Sequence, residues 1–137
     1  MALVLDTGPI VALLDADDPD HDRCVALADE HRDLVVPSPV LVEVDYWVRK
    51  RLDIKVWRTF VEDLAGGAYR LESATVADVA RAAELESQYD GLRLGFVDAA
   101  VIAVCERLDE DKVATLDRRH FSIVRPRHRA TLHLLPE

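Results

Sequence analysis

Short β-like apolar runs alternate with longer stretches of helical period along this chain. Residues 2–6 read as a short buried strand, and Thr7 is placed to cap a helix whose apolar side chains run from Ile10 to Leu14. Pro19 suits the first turn of a second helix reaching to about His31. Leu34 to Val36 is a second strand. Ser38 as cap and Pro39 at the first position then open a helix that ends near Arg51. Asp53 opens another helix, which Gly66 and Gly67 stop. Tyr69 to Glu72 is a strand, and Thr75 with Asp78 resembles a capping box for a helix to about Tyr89. Residues 96–108 are helical and strongly apolar. Val113 to Leu116 is a strand, and Leu132 to Leu134 the last one. Strands alternating with helices predict an α/β fold, a parallel sheet covered on both faces. Ligands of such sheets bind beyond the carboxyl ends of the strands.

Against this pattern four acidic residues stand out: Asp6, Glu43, Asp98 and Asp117. Asp6 is the only ionisable side chain between Met1 and Leu14. Glu43 sits in the apolar run from Pro39 to Val44, and Asp98 is the sole charge from Gly95 to Cys105. Asp117 follows Val113 to Leu116. A carboxylate buried without a partner takes up a proton or is paired. Read singly, Asp6 and Asp117 are ordinary cap or turn residues; Asp98, inside a helical apolar run, is not. A shared divalent cation at the carboxyl edge of the sheet accounts for all four. Carboxylate ligation suits hard cations, Mg²⁺ or Mn²⁺, and no His or Cys joins these runs. Such a centre suits phosphodiester hydrolysis, where a cation activates water and offsets charge on the leaving oxygen.

Half of the 137 residues are hydrophobic, which suits one domain with one core. The net charge of −9 argues against a general nucleic-acid coat protein. The positive charge is nevertheless clustered. No acid occurs from Arg118 to Pro136, a stretch with Arg118, Arg119, Arg125, Arg127 and Arg129, and a second basic group spans Arg49 to Arg58. Either group would be an ordinary solvated face in the absence of a polyanion. Cys24 and Cys105, far apart in sequence, read as two buried free thiols, which fits a reducing cytoplasm. Neither a signal peptide nor a run of about 18 apolar residues is evident, so no membrane association is expected.

At these acids the chain resembles the PIN-domain ribonucleases, and among them the VapC-type toxins of bacterial toxin–antitoxin pairs. Four segments carry the resemblance: Leu3 to Ile10, Pro39 to Val44, Leu94 to Ala100, and Ala114 to Phe121. They span nearly the whole chain in the family's order, and the reading is a single PIN domain over residues 1–137. The resemblance implies a PIN-like three-layer α/β/α fold with a central parallel sheet flanked by helices. It also implies Mg²⁺-dependent endoribonuclease activity, with Mn²⁺ able to substitute. Asp6, Glu43, Asp98 and Asp117 match the family's acidic quartet. Of these, Asp6 and Asp98 are expected as direct metal ligands, with Glu43 and Asp117 completing the cluster or acting through water. Thr7 and Thr115 match polar positions beside the quartet and take supporting roles. Asp90 reads as a surface-loop acid. The family further implies a cognate antitoxin that blocks the site, a homodimer, and a heterotetramer or larger assembly with the antitoxin. Arg118, Arg119, Arg125 and Arg127 are candidate RNA phosphate contacts. Trp47, Trp57 and Phe60 could form a partner groove, but helical spacing favours ordinary core.

Other readings fit less well. Asp6-Thr7-Gly8 spells the aspartic-protease triplet, but here it opens a helix. A phosphoaspartyl hydrolase would want an acid where Gly8 stands, and a receiver domain would want paired acids and a late lysine that are absent. A PIN nuclease for RNA maturation, or a binding module whose acids pair with a partner's basic residues, remain the alternatives.

Overall fold

The computed structural model describes residues 1–137. Five strands form one sheet: β1 (Ala2–Leu5), β2 (Asp33–Pro37), β3 (Arg70–Glu72), β4 (Lys112–Ala114) and β5 (His133–Leu135). Their order is β3-β2-β1-β4-β5, and every pairing is parallel. All four residues of β1 are buried. That is the signature of a central strand with helices on both faces, and it explains why Ala2 to Leu5 is continuously apolar rather than alternating.

Seven helices connect and cover the strands: α1 (Thr7–Leu14), α2 (His21–Asp29), α3 (Val40–Arg51), α4 (Ile54–Ala65), α5 (Val76–Gln88), α6 (Phe96–Leu108) and α7 (Arg118–Ile123), with a 3₁₀ turn at Asp90–Leu92. Helix α6 is the most buried. Its residues Ala99 to Cys105 are all enclosed, so its apolar character is not confined to one face. The core is a single cluster of 26 buried side chains drawn from β1, β2, β4, β5, all seven helices and the segments joining them. No helix is long and apolar enough to cross a membrane. Cys24 and Cys105 are both buried and free, and burial pushes both thiols up.

Several local expectations hold. Asp53 caps α4 by accepting from the Lys55 amide, and Gly67 takes up a left-handed conformation (φ 88°) after it. Thr75 and Asp78 form a reciprocal capping box on α5. Others are corrected. Thr7 is the first helical residue rather than the cap, and its hydroxyl is used elsewhere. Ser38 does not cap α3: its hydroxyl accepts from the Ala74 amide at 3.0 Å, tying the β2–α3 turn to the end of β3, and Pro39 occupies the cap position. Pro19 lies in a turn before α2, not in its first turn. Strand β4 stops at Ala114, so Thr115 to Asp117 form a connection, and α7 follows in a stretch to which the sequence pattern assigns no element.

The chain runs outward from β1 through β2 to β3, then crosses back to place β4 on the other side of β1. The connections therefore diverge between β1 and β4, and this divergence leaves a crevice at the carboxyl ends of the two strands.

Candidate metal centre

Asp6 follows β1 directly and anchors at the crevice through its amide, which donates to the Ala114 carbonyl of β4 at 2.9 Å. Thr115, the first residue beyond β4, is fully buried. Its Oγ1 donates to Asp6 Oδ2 at 2.9 Å, bridging the carboxyl ends of the two strands. Glu43 reaches in from the first turn of α3, where Thr7 Oγ1 donates to its Oε1 at 2.6 Å. The two threonines thus orient one carboxylate each. Gly8, beside Thr7, lets α1 approach closely: a Cβ there would stand 3.3 Å from Leu116 Cβ, next to Asp117.

Asp98 enters from the first turn of α6 and Asp117 caps α7, accepting from the Arg119 amide at 3.3 Å. His120, three residues into α7, is buried, and its Nδ1 lies 2.6 Å from Asp98 Oδ2. Ligating atoms of Asp98, Asp117 and His120 all lie within 4.8 Å of one another. This corrects the expectation that no histidine joins the acids. The Asp117–His120 spacing within one helical turn is a signal the sequence offered, masked by five arginines and two further histidines in the same basic stretch.

All four acids line one open cleft of about 520 Å³, together with Thr7, Gly8, Val11, Asp18, Trp47, Arg51 and Leu116. Asp18 and Arg51 were not foreseen; Arg51 is held by Asp15 at 2.9 Å and Asp18 at 3.1 Å. Asp6 is the most enclosed of the four acids, and its pKa is raised to about 6. Burial is the largest cause. The negative field of Asp98 adds to it and that of Glu43 contributes less, against the hydrogen bonds from Thr7 and Thr115 that favour the carboxylate. A divalent cation would relieve this repulsion. The close group of Asp98, Asp117 and His120, two carboxylates and one adjacent imidazole, fits such an ion, with Asp6 and Glu43 lining the same cleft.

The arginines of the basic stretch lie outside this cleft. Arg118 and Arg119 are exposed on α7 immediately past Asp117, with Arg118 donating to the Pro136 carbonyl at 2.9 Å. Arg125 is exposed beyond α7, and Arg127 is paired with Glu84 at 2.8 Å. Asp90 is exposed on the 3₁₀ turn and does not line the cleft. Phe60 is core, Trp57 packs against it, and Trp47 instead stands 39% exposed in the cleft wall.

Comparison with known proteins agrees with this architecture. The family model of the PIN domain matches residues 3–125. The chain is 36% identical to ribonuclease VapC26 of Mycobacterium tuberculosis over 125 residues, 90% of this chain and 93% of that protein. The crystal structure of M. tuberculosis VapC20, a sarcin–ricin loop cleaving toxin, superposes with a TM-score of 0.78 at 21% identity, covering 85% of this chain and 90% of that one. VapBC2 from Rickettsia felis, bound to a DNA fragment from its promoter, gives 0.72 at 16% identity, covering 99% and 100%.

Proposed function

This chain belongs to the PIN-domain family, and from that premise we propose that it is a metal-dependent endoribonuclease, the toxin of a toxin–antitoxin pair. The observation that carries the reading is the meeting of four carboxylates, from the ends or first turns of four separate elements, in one cleft at the switch point of a parallel sheet. Like charges so gathered raise one another's proton affinity and gain by sharing a cation. The close relation to a ribonuclease supports RNA as the substrate. Structural neighbours that are toxin–antitoxin complexes support a cognate antitoxin as the partner. We assign the ion as Mg²⁺, with Mn²⁺ able to replace it, and place the protein in the cytoplasm beside its RNA.

Asp6 and Asp98 are the proposed direct ligands, with Glu43 and Asp117 completing the cluster. When bound, the ion supplies an activated water and charge neutralisation at the scissile phosphate. The protein's own part is orientation. Thr115 holds Asp6, Thr7 holds Glu43, and His120 holds Asp98. Arg118 and Arg119, exposed next to Asp117, are placed to meet phosphates flanking the cleft.

The test is cleavage of structured RNA by the purified protein with Mg²⁺ or Mn²⁺, and again with chelator. Cleavage is expected only with the ion, and Asp98→Asn is expected to lower kcat at least about 100-fold, the scale of losing a central electrostatic group. Cleavage that survives chelation or that substitution contradicts the mechanism. Expression in cells should arrest growth, and co-expression of the adjacent small gene should relieve it; a maturation nuclease would do neither.

A further inference from the structure

Helix α3 carries a stripe that the metal chemistry does not use in full. Glu43, Trp47 and Arg51 stand at i, i+4 and i+8, so they share one helix face, and all three line the acidic cleft. Val40, Val44 and Val48, on the stripe immediately beside it, are completely buried and fix that orientation. Trp47 lies outside the buried core and is 39% exposed. Its nearest ring is Tyr46, edge-on with centroids 5.1 Å apart and itself 54% exposed. The Lys50 ammonium lies 5.5 Å from the Trp47 ring centroid and 5.6 Å from that of Tyr46. Lys50 has no carboxylate partner; its one hydrogen bond goes to the Tyr46 hydroxyl at 3.4 Å.

We infer that Trp47 is the base-stacking platform of the RNA site, taking one unpaired base next to the scissile phosphate, with Lys50 at the rim to meet the strand's backbone. The inference rests on the ribonuclease reading above. The cleft wall makes such a contact necessary. Five acids line it, Asp6, Asp18, Glu43, Asp98 and Asp117, and its single cation, Arg51, is already engaged by Asp15 and Asp18. Within the cleft, phosphates therefore find little attraction on the α3 wall, and the unpaired charge of Lys50 lies outside that lining. A stacked base needs no charge complementarity, because every base presents a π-face. An indole one helical turn from Glu43 holds the base close to the phosphate being cut. Unstacked bases are what a protein can grip in this way, so the platform selects loops and single strands over paired helix.

The test uses an RNA hairpin that the wild-type protein cuts at a mapped bond, and measures KM and kcat for wild type, Trp47→Ala and Trp47→Phe. Each enzyme is also given hairpins in which an abasic residue replaces one base flanking the bond. Trp47→Ala is expected to raise KM about tenfold, with Trp47→Phe recovering most of the loss. At one flanking position, removing the base should cost the wild type as much as removing the ring, and should cost Trp47→Ala nothing more. Thermal unfolding of the variants separates loss of fold from loss of contact. An unchanged KM in a folded Trp47→Ala, or base and ring effects that add at every position, overturns the inference while leaving the nuclease standing. So does a Trp47→Ala protein that cuts normally but no longer binds its antitoxin or a second copy of itself, since the ring then serves a protein interface. A wild-type protein that cuts no RNA overturns both.

Discussion

Asp6 shows how a single residue trades stability for chemistry. Its pKa of about 6 in the folded protein lies above the ordinary 3.8 that the unfolded chain would show. The native state therefore holds the proton more tightly. The stabilisation this brings is complete below about pH 4 and is lost as the pH climbs through 6. The difference is worth about 3 kcal/mol. Urea unfolding of the metal-free protein should thus give a stability that falls between pH 4 and 6, beyond what the remaining groups contribute. Asp6→Asn, which carries no proton to lose, should flatten that decline and unfold at higher urea than wild type at pH 7.5, while cutting no RNA. A variant less stable than wild type at pH 7.5, with the same slope, would refute this account of Asp6. The acids were legible in the sequence because a charge inside an apolar run is anomalous on its own. His120, Asp18, Arg51 and Trp47 were not, because each sits among residues like itself and becomes part of the site only through tertiary contact.

Elements were legible where chemistry is local and obscured where a side chain serves a distant partner. The α5 capping box was readable from Thr75 and Asp78 because donor and acceptor lie three residues apart. Thr7 and Ser38 look like caps by the same rule, but their hydroxyls bond residues 36 positions away, Glu43 and Ala74. Helix α7 escaped notice because six residues, Arg118–Ile123, are too few to show a helical period, and only His120 and Phe121 of them are buried. The box itself is testable. Thr75→Ala should cost about 1 kcal/mol in chemical denaturation. Asp78→Ala should cost more, because Asp78, 3% exposed, also binds Arg107 at 3.0 Å and its loss leaves that arginine with Glu72 as its one acidic partner. Equal costs would show that the ion pair adds nothing to the cap.

At the scale of the whole molecule, the parallel sheet and its helical layers were foreseen from the alternation of strands and helices, and the order β3-β2-β1-β4-β5 supplies what alternation cannot. That order brings residues 6, 43, 98 and 117 to one cleft. The sequence places each acid at the end of a strand or the start of a helix, but only the crossing from β3 back to β4 puts α1, α3, α6 and α7 around one crevice. With a net charge of −9 and several acids turned into that crevice, the proposed function calls for a bound counter-charge. Titration calorimetry with Mn²⁺ on the metal-free, folded protein tests this most directly. Saturable uptake is expected for the wild type and at least about tenfold weaker binding for Asp98→Asn, the scale of losing a ligand or its support. No uptake by the folded wild-type protein, or equal uptake by both, would contradict a shared cation at these four carboxylates.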